Sequence, residues 1–173
     1  MLKSRLFSIL VLLFLIPIIS TVLAVDMKGK FGMGVGWSAG SAKFTPDYAI
    51  MKFGIGEKLV LEPMLYFAFT SLSDGASTSY YKMDLNMLLA FALMAHEKTN
   101  VYAKAGINFG LVKEPKEMHF GIPMGLGLEH FVSDHFAVDL NAGMGFSYWS
   151  NGAKLLMFTL GNSYINAGLV WYY

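Results

Sequence analysis

Apolar side chains alternate with glycine or polar residues in about eight segments after residue 25. In the first segment the apolar parity carries Phe31, Met33, Val35 and Trp37, and the other parity carries mainly glycine. Successive side chains of a β-strand point to opposite faces. Each segment therefore predicts a strand with one apolar face and one face of glycine and charged residues.

The alternation also predicts where the strands begin and end. They are expected at 28–38, 48–56, 59–71, 80–94, 100–111, 118–131, 135–149 and 155–173. Short turns are expected at 56–58, 96–99 and 132–134, and loops near 39–47, 72–79, 112–117 and 150–154, where turn-forming residues cluster.

The sequence predicts an irregularity in two strands and none in a third. In the last strand Phe158 lies on the opposite parity to Ile165, which predicts a bulge near Gly161 and Asn162. In the third strand Pro63 lacks an N–H donor, which predicts a second local bulge. In the fourth strand the outward parity is expected to run without interruption to Leu93.

The composition is too apolar for an ordinary soluble domain. Of the 173 residues 55% are hydrophobic and only 14% are charged, whereas soluble domains are about 25% charged. No stretch after residue 25 is apolar and uncharged over the roughly 18 residues that a helical membrane span requires. We therefore predict an all-β fold, an eight-stranded antiparallel up-and-down transmembrane β-barrel that forms one domain over 25–173.

Residues 1–24 have the pattern of a secretory signal peptide. Lys3 and Arg5 precede an apolar stretch over 6–19, and small residues follow up to Ala24, after which we expect cleavage. An uncleaved helical anchor is the alternative, and Pro17 makes it less favourable. The chain has no cysteine, which excludes disulfides, thiolate metal sites and a lipidated cysteine.

The glycine-rich parity collects four lysines and four carboxylates. These predicted lumen residues are Lys30, Lys52, Glu62, Lys82, Asp84, Lys104, Glu129 and Asp139. Eight strands leave an interior only wide enough for side chains. A turn centred on Glu57 places Lys52 opposite Glu62, and such pairing makes buried charges tolerable. We expect a side-chain plug, with a small gated pore for ions or small solutes as the alternative.

Several short patterns accompany the even strand count and the aromatic residues near strand ends. They are the Gly-x-Gly run of the first strand, Leu61-Glu62-Pro63, the 125–129 segment Gly-Leu-Gly-Leu-Glu and the aromatic C-terminus Val170-Trp-Tyr-Tyr173. With these features the chain, over 25–173, resembles the small eight-stranded outer-membrane barrels of Gram-negative bacteria, a family that includes the barrel domain of outer-membrane protein A and outer-membrane protein X.

The resemblance implies an integral, porin-like protein of the bacterial cell envelope. Its expected location is the outer membrane, after signal-peptide cleavage. Its expected partners are outer-membrane lipid and the barrel-assembly machinery, which in this family recognises a C-terminal signal that would here be Leu169, Trp171 and Tyr173. We expect a monomer with a structural or envelope-interaction role.

Other functions have weaker support in the sequence. A net charge of +1 without a basic cluster does not indicate nucleic-acid binding. The Gly34-x-Gly36 spacing is not followed by a helix signal, so we expect no nucleotide and no other cofactor. His96 and His135 fall at turns and His130 faces outward, without the spacing of metal ligands, so we expect no metal.

We expect no enzymatic activity, although two further classes stay open as alternatives. In a lipid A-modifying barrel enzyme, Ser150 would need a base, and Tyr148 stands where the expected histidine would be. His119 could approach Ser150 only from the neighbouring strand. In a secreted lipocalin-like carrier, the apolar parity would face inward and the protein would be soluble.

Overall fold

The computed structural model describes residues 26–38, 46–72, 78–113, 117–150, 154–160 and 165–173. Nine strand segments account for most of them. They are β1 (Phe31–Ser38), β2 (Tyr48–Gly54), β3 (Leu59–Leu72), β4 (Thr78–His96), β5 (Thr99–Val112), β6 (Glu117–Phe131), β7 (Phe136–Ser150), β8 (Lys154–Leu160) and β9 (Asn166–Tyr172). Across these ranges no helix has the length and apolarity needed to cross a membrane. The predicted signal peptide at 1–24 lies outside the described residues.

Consecutive strands pair antiparallel from β1 through to β7, and the sheet closes on itself. Closure occurs because β9 pairs with both β7 and β1, where Gly32 lies opposite Tyr172 and Ser38 opposite Asn166. Since β8 also pairs with β7, β8 and β9 together form one strand position. The predicted eight-stranded up-and-down barrel is confirmed.

The eighth strand position is interrupted between β8 and β9. Met144 of β7 pairs with Leu160, whereas Asn141 pairs with Asn166, so three steps along β7 correspond to six along its partner. The parity of the outward side chains changes across the same interval, because Phe158 and Ile165 are both exposed. The bulge predicted near Gly161 and Asn162 falls at 161–164, outside the described residues.

Two predictions about the regularity of β3 and β4 are wrong. In β4 the register shifts between Ala92 and Met94, so Leu93 is an extra residue and Met94, rather than Leu93, continues the exposed face. The bulge predicted at Pro63 is absent. The pairs Ile50 with Met64 and Phe53 with Leu61 keep one register on either side of Pro63, so the missing N–H interrupts the ladder without adding a residue.

The barrel has two distinct ends. At the turn end, residues 55–58, 97–98 and 132–135 connect β2 to β3, β4 to β5 and β6 to β7, close to the predicted turns. At the loop end the chain passes from β1 to β2, β3 to β4, β5 to β6 and β7 to β8. The predicted loops fall largely outside the described residues.

The two faces of the wall have opposite character. Large apolar side chains remain exposed on the outside of the barrel, among them Met33, Phe67, Leu89, Ile107, Leu126, Leu140 and Trp171. The fully buried side chains inside include Lys52, Glu62, Glu129 and Asp139. A soluble carrier has the reverse arrangement. The lipocalin-like alternative is therefore excluded.

Candidate functional site

Five charged side chains meet inside the barrel and form a buried ion network. Lys52, Glu62, Lys104, Glu129 and Asp139 project inward from β2, β3, β5, β6 and β7. Each is almost completely shielded from solvent. They reach the lumen because each occupies the parity of its strand that alternates with the exposed apolar side chains.

Each lysine of the ion network contacts more than one carboxylate. Lys52 Nζ lies 2.8 Å from Glu129 Oε1, 3.1 Å from Asp139 Oδ1 and 3.4 Å from Glu62 Oε2. Lys104 Nζ lies 2.8 Å from Glu62 Oε2 and 3.5 Å from Asp139 Oδ1. The Lys52–Glu62 pair expected from the turn at Glu57 is present, and it belongs to a larger set of contacts. Charge-assisted bonds of this kind are what makes buried charge tolerable.

The ion network contains one more acid than base. Two lysines face three carboxylates, so the fully ionised network carries a charge of −1. Neutral donors stabilise the extra carboxylate: Tyr172 donates to Glu129 Oε1 at 2.6 Å and Tyr102 donates to Glu129 Oε2 at 3.2 Å. Asn100 donates in turn to the Tyr102 hydroxyl at 3.0 Å. These uncharged donors were not predicted, although all three residues lie on the inward parity.

A second charged group lies nearer the loop end. Lys82 Nζ lies 2.8 Å from Asp84 Oδ2, and His119 Nε2 lies 3.1 Å from Asp84 Oδ1. The His119 ring stacks on Trp149 with ring centroids 4.2 Å apart. Gly110 lies between Asp84 and His119 in the strand pairing. A Cβ atom at Gly110 would collide with both side chains, so glycine makes their contact possible.

The eight predicted lumen residues therefore form three groups instead of one. Five make up the ion network, and Lys82 and Asp84 form the loop-end group with His119. Lys30 lies apart at the turn end, with Nζ 5.5 Å from the centroid of the Phe131 ring. His119 was not predicted to take part, although it shares its parity with Gly121 and Glu129.

The geometry does not support catalysis through Ser150. Ser150 lies opposite Met118 and is exposed, whereas His119 lies opposite Trp149 and is buried. The hydroxyl and the imidazole therefore belong to opposite faces of the wall. Over the part of the chain that the structure describes, no group of three or more histidine or acidic side chains is arranged to hold a metal ion.

The C-terminal residues combine exposed and buried positions. Leu169, Trp171 and Tyr173 are exposed on the outside of the barrel. Tyr173 N donates to Phe31 O at 2.9 Å and Tyr172 N donates to His135 O at 2.7 Å. The predicted assembly residues thus form the outer surface of the strand that closes the barrel against β1.

Several solved structures of bacterial outer-membrane proteins are similar to this chain. No protein-family model matches the sequence, and no curated protein matches it. Among solved structures it is similar to the outer membrane protein OprG from Pseudomonas aeruginosa, with 11% identity, a TM-score of 0.49, and coverage of 88% of this chain and 99% of that one. For the E. coli outer membrane protein W the identity is 11%, the TM-score 0.48, and the coverage 84% and 98%.

A third similar structure is the Yersinia pestis outer membrane protein Ail. The identity is 10%, the TM-score 0.44, and the coverage 83% of this chain and 97% of that one. At such identities, and with TM-scores below 0.5, these similarities say nothing about a shared activity.

Proposed function

We propose that this protein is an integral outer-membrane barrel with a structural or envelope-interaction role, whose lumen is closed by the ion network. The outward face supports insertion into lipid, because the exposed side chains of the wall are mainly large and apolar. Exposing such an apolar band to water is unfavourable. In lipid the band is favourable, provided that the backbone hydrogen bonds are all formed within the wall. The closed strand ladder meets that requirement.

The ion network is the observation that supports a closed lumen. Lys52 contacts carboxylates of β3, β6 and β7, so its ammonium group links four strands across the lumen by ion pairs. Tyr102 and Tyr172 are also buried and add volume beside it. A permeating ion would have to separate at least one buried pair. Leaving a buried charge uncompensated costs about 3–5 kcal/mol.

Planar-bilayer conductance of the refolded barrel tests this proposal. We expect no steady openings for the wild type. The matched variants are Lys52→Met, inside the ion network, and Lys82→Met, in the loop-end group. Steady wild-type openings that are abolished by Lys52→Met and retained in Lys82→Met would overturn the plug and support the gated pore instead.

The cellular location is tested separately. The exposed apolar band and the outward Leu169, Trp171 and Tyr173 support a proposed path to the outer membrane through the barrel-assembly machinery. Fractionation of the native cell should place the folded protein in the outer-membrane fraction, as a monomer that migrates differently on gels before and after boiling. Recovery as a soluble periplasmic protein would contradict the proposal.

A further inference from the structure

A cavity of about 250 Å³ lies in the lumen beside the loop-end group. Its wall includes residues of β1, β2, β3, β4, β6 and β9, so most strands of the barrel contribute to it. Small-molecule sites usually measure about 300–1,000 Å³. This cavity lies just below that range, so it suits only a small molecule.

The wall of the cavity mixes polar and apolar groups. Ser38, Asn86 and Asn166 supply a hydroxyl and two amides, which can form hydrogen bonds with a ligand. Asn166 Oδ1 already accepts a hydrogen bond from Asn141 Nδ2 at 2.8 Å, so Asn166 offers mainly its N–H donors. Met64, Leu88 and Pro123 supply apolar surface. Such a lining fits a ligand that carries several hydroxyl groups on a compact carbon skeleton.

The charges at the cavity compensate each other. Lys82 and Asp84 both line it, and they form an ion pair of 2.8 Å. Lys82 Nζ also lies 5.5 Å from the centroid of the Tyr66 ring, which lines the cavity too. A neutral ligand leaves this pair intact. A charged ligand would have to separate it or would remain uncompensated.

We propose that this cavity binds a small, neutral, hydroxyl-rich solute of about the size of a monosaccharide. Hydroxyl groups donate to the Asn86 carbonyl oxygen and accept from the amide N–H groups of Asn86 and Asn166, while C–H surface packs on Leu88 and Met64. The ion network occupies the lumen toward the turn end, so the solute is held in the barrel. This site does not depend on whether the lumen conducts, because its walls are separate from Lys52 and Glu129.

Saturation-transfer NMR on the refolded barrel, in micelles without sugar headgroups, tests the proposal. The probes are glucose, and for comparison acetate, tetramethylammonium and glycine. We expect saturation transfer to glucose and not to the other three. Transfer to none of the probes, or only to a charged or zwitterionic one, would overturn the assignment.

Two cavity variants and one matched control locate the binding. Asn86→Leu removes an amide from the wall, and Leu88→Phe reduces the volume without changing a polar group. The control is Asn108→Leu. Asn108 lies opposite Asn86 in the pairing of β4 with β5, and its amide donates to Leu85 O at 3.5 Å.

We expect Asn86→Leu to weaken glucose binding about fivefold or more, the effect of losing one hydrogen bond worth about 1 kcal/mol. We expect Leu88→Phe to weaken it by steric exclusion, and the control to bind normally. Heat-dependent gel migration establishes that each variant is folded. Unchanged glucose binding in both folded cavity variants would place the ligand elsewhere.

Discussion

Glu129 and Asp139 lie directly opposite each other in the pairing of β6 with β7, and Lys52 bridges them. Its Nζ is 2.8 Å from Glu129 and 3.1 Å from Asp139. Like charges directly opposite in a sheet destabilise it. The barrel therefore depends on a lysine from β2, a strand that neighbours neither β6 nor β7, to keep this pair of carboxylates inside.

Loss of Lys52 should destabilise the barrel more than loss of Glu62. Lys52→Met leaves one lysine against three carboxylates, whereas Glu62→Gln leaves two against two. We expect a decrease in the free energy of unfolding of about 3–5 kcal/mol for Lys52→Met. For Glu62→Gln we expect about 1–3 kcal/mol. Urea unfolding in detergent, followed by circular dichroism, measures both.

The control for these variants is Glu57→Ala. Glu57 is exposed in the turn between β2 and β3, so its removal should change stability by less than about 0.5 kcal/mol. Equal urea midpoints for Lys52→Met and Glu62→Gln would mean that the charge excess within the ion network has no energetic consequence.

An arginine on the outer face should reveal whether lipid surrounds the wall. Leu126 and Val132 are equally exposed, at 56% each, but Leu126 lies within β6 and Val132 in the turn that follows it. Leu126→Arg should cost about 2–4 kcal/mol in lipid vesicles, and Val132→Arg about 0–1 kcal/mol. Stability measurements in bilayers compare the two. If both variants match the wild type, the wall faces water.

A side chain at Gly125 should obstruct the pairing of β6 with β7. A Cβ atom there would lie 2.7 Å from Gly143 Cα and would also collide with Ala142 O, both backbone atoms that cannot move aside easily. At Gly56 in a turn, the nearest atom to such a Cβ is Leu59 Cβ at 3.6 Å. Gly125→Ala should therefore reduce the yield of folded, heat-modifiable barrel, while Gly56→Ala should not. Similar refolding yields would show that the wall relaxes around Gly125.

In the C-terminal strand, different residues are expected to affect assembly into the membrane and stability of the folded barrel. Trp171→Ala combined with Tyr173→Ala removes two exposed aromatic side chains and keeps the hydrogen bond from Tyr172 to Glu129. Tyr172→Phe removes that bond and keeps the outward aromatics. The double variant should lower the amount of folded protein in the outer membrane. Tyr172→Phe should mainly lower the free energy of unfolding in urea, by about 1–3 kcal/mol. Wild-type assembly of the double variant would disprove the role of these residues as a signal.

The sequence alone determined the wall of this barrel. A side-chain period of two fixes which residues share a face, and turn-forming residues fix where the chain reverses. The sequence therefore sufficed to place Phe31, Met33 and Val35 on one face of the first strand, and Gly32 and Gly34 on its other face. The same parity assigned Lys52, Glu62 and Glu129 to the interior, and the short turn at Glu57 placed Lys52 beside Glu62.

Only the tertiary structure decided which interior residues meet. Contacts across the lumen, such as Lys52 with Glu129, depend on the stagger and closure of all the strands, which local alternation does not encode. The Asp84–His119 contact depends further on the absence of a side chain at Gly110, one strand away from each. The bulge at Leu93 likewise has no marker in the alternation. Parity assigns a residue to a face of the wall, but the geometry of the closed barrel determines which interior side chain it contacts.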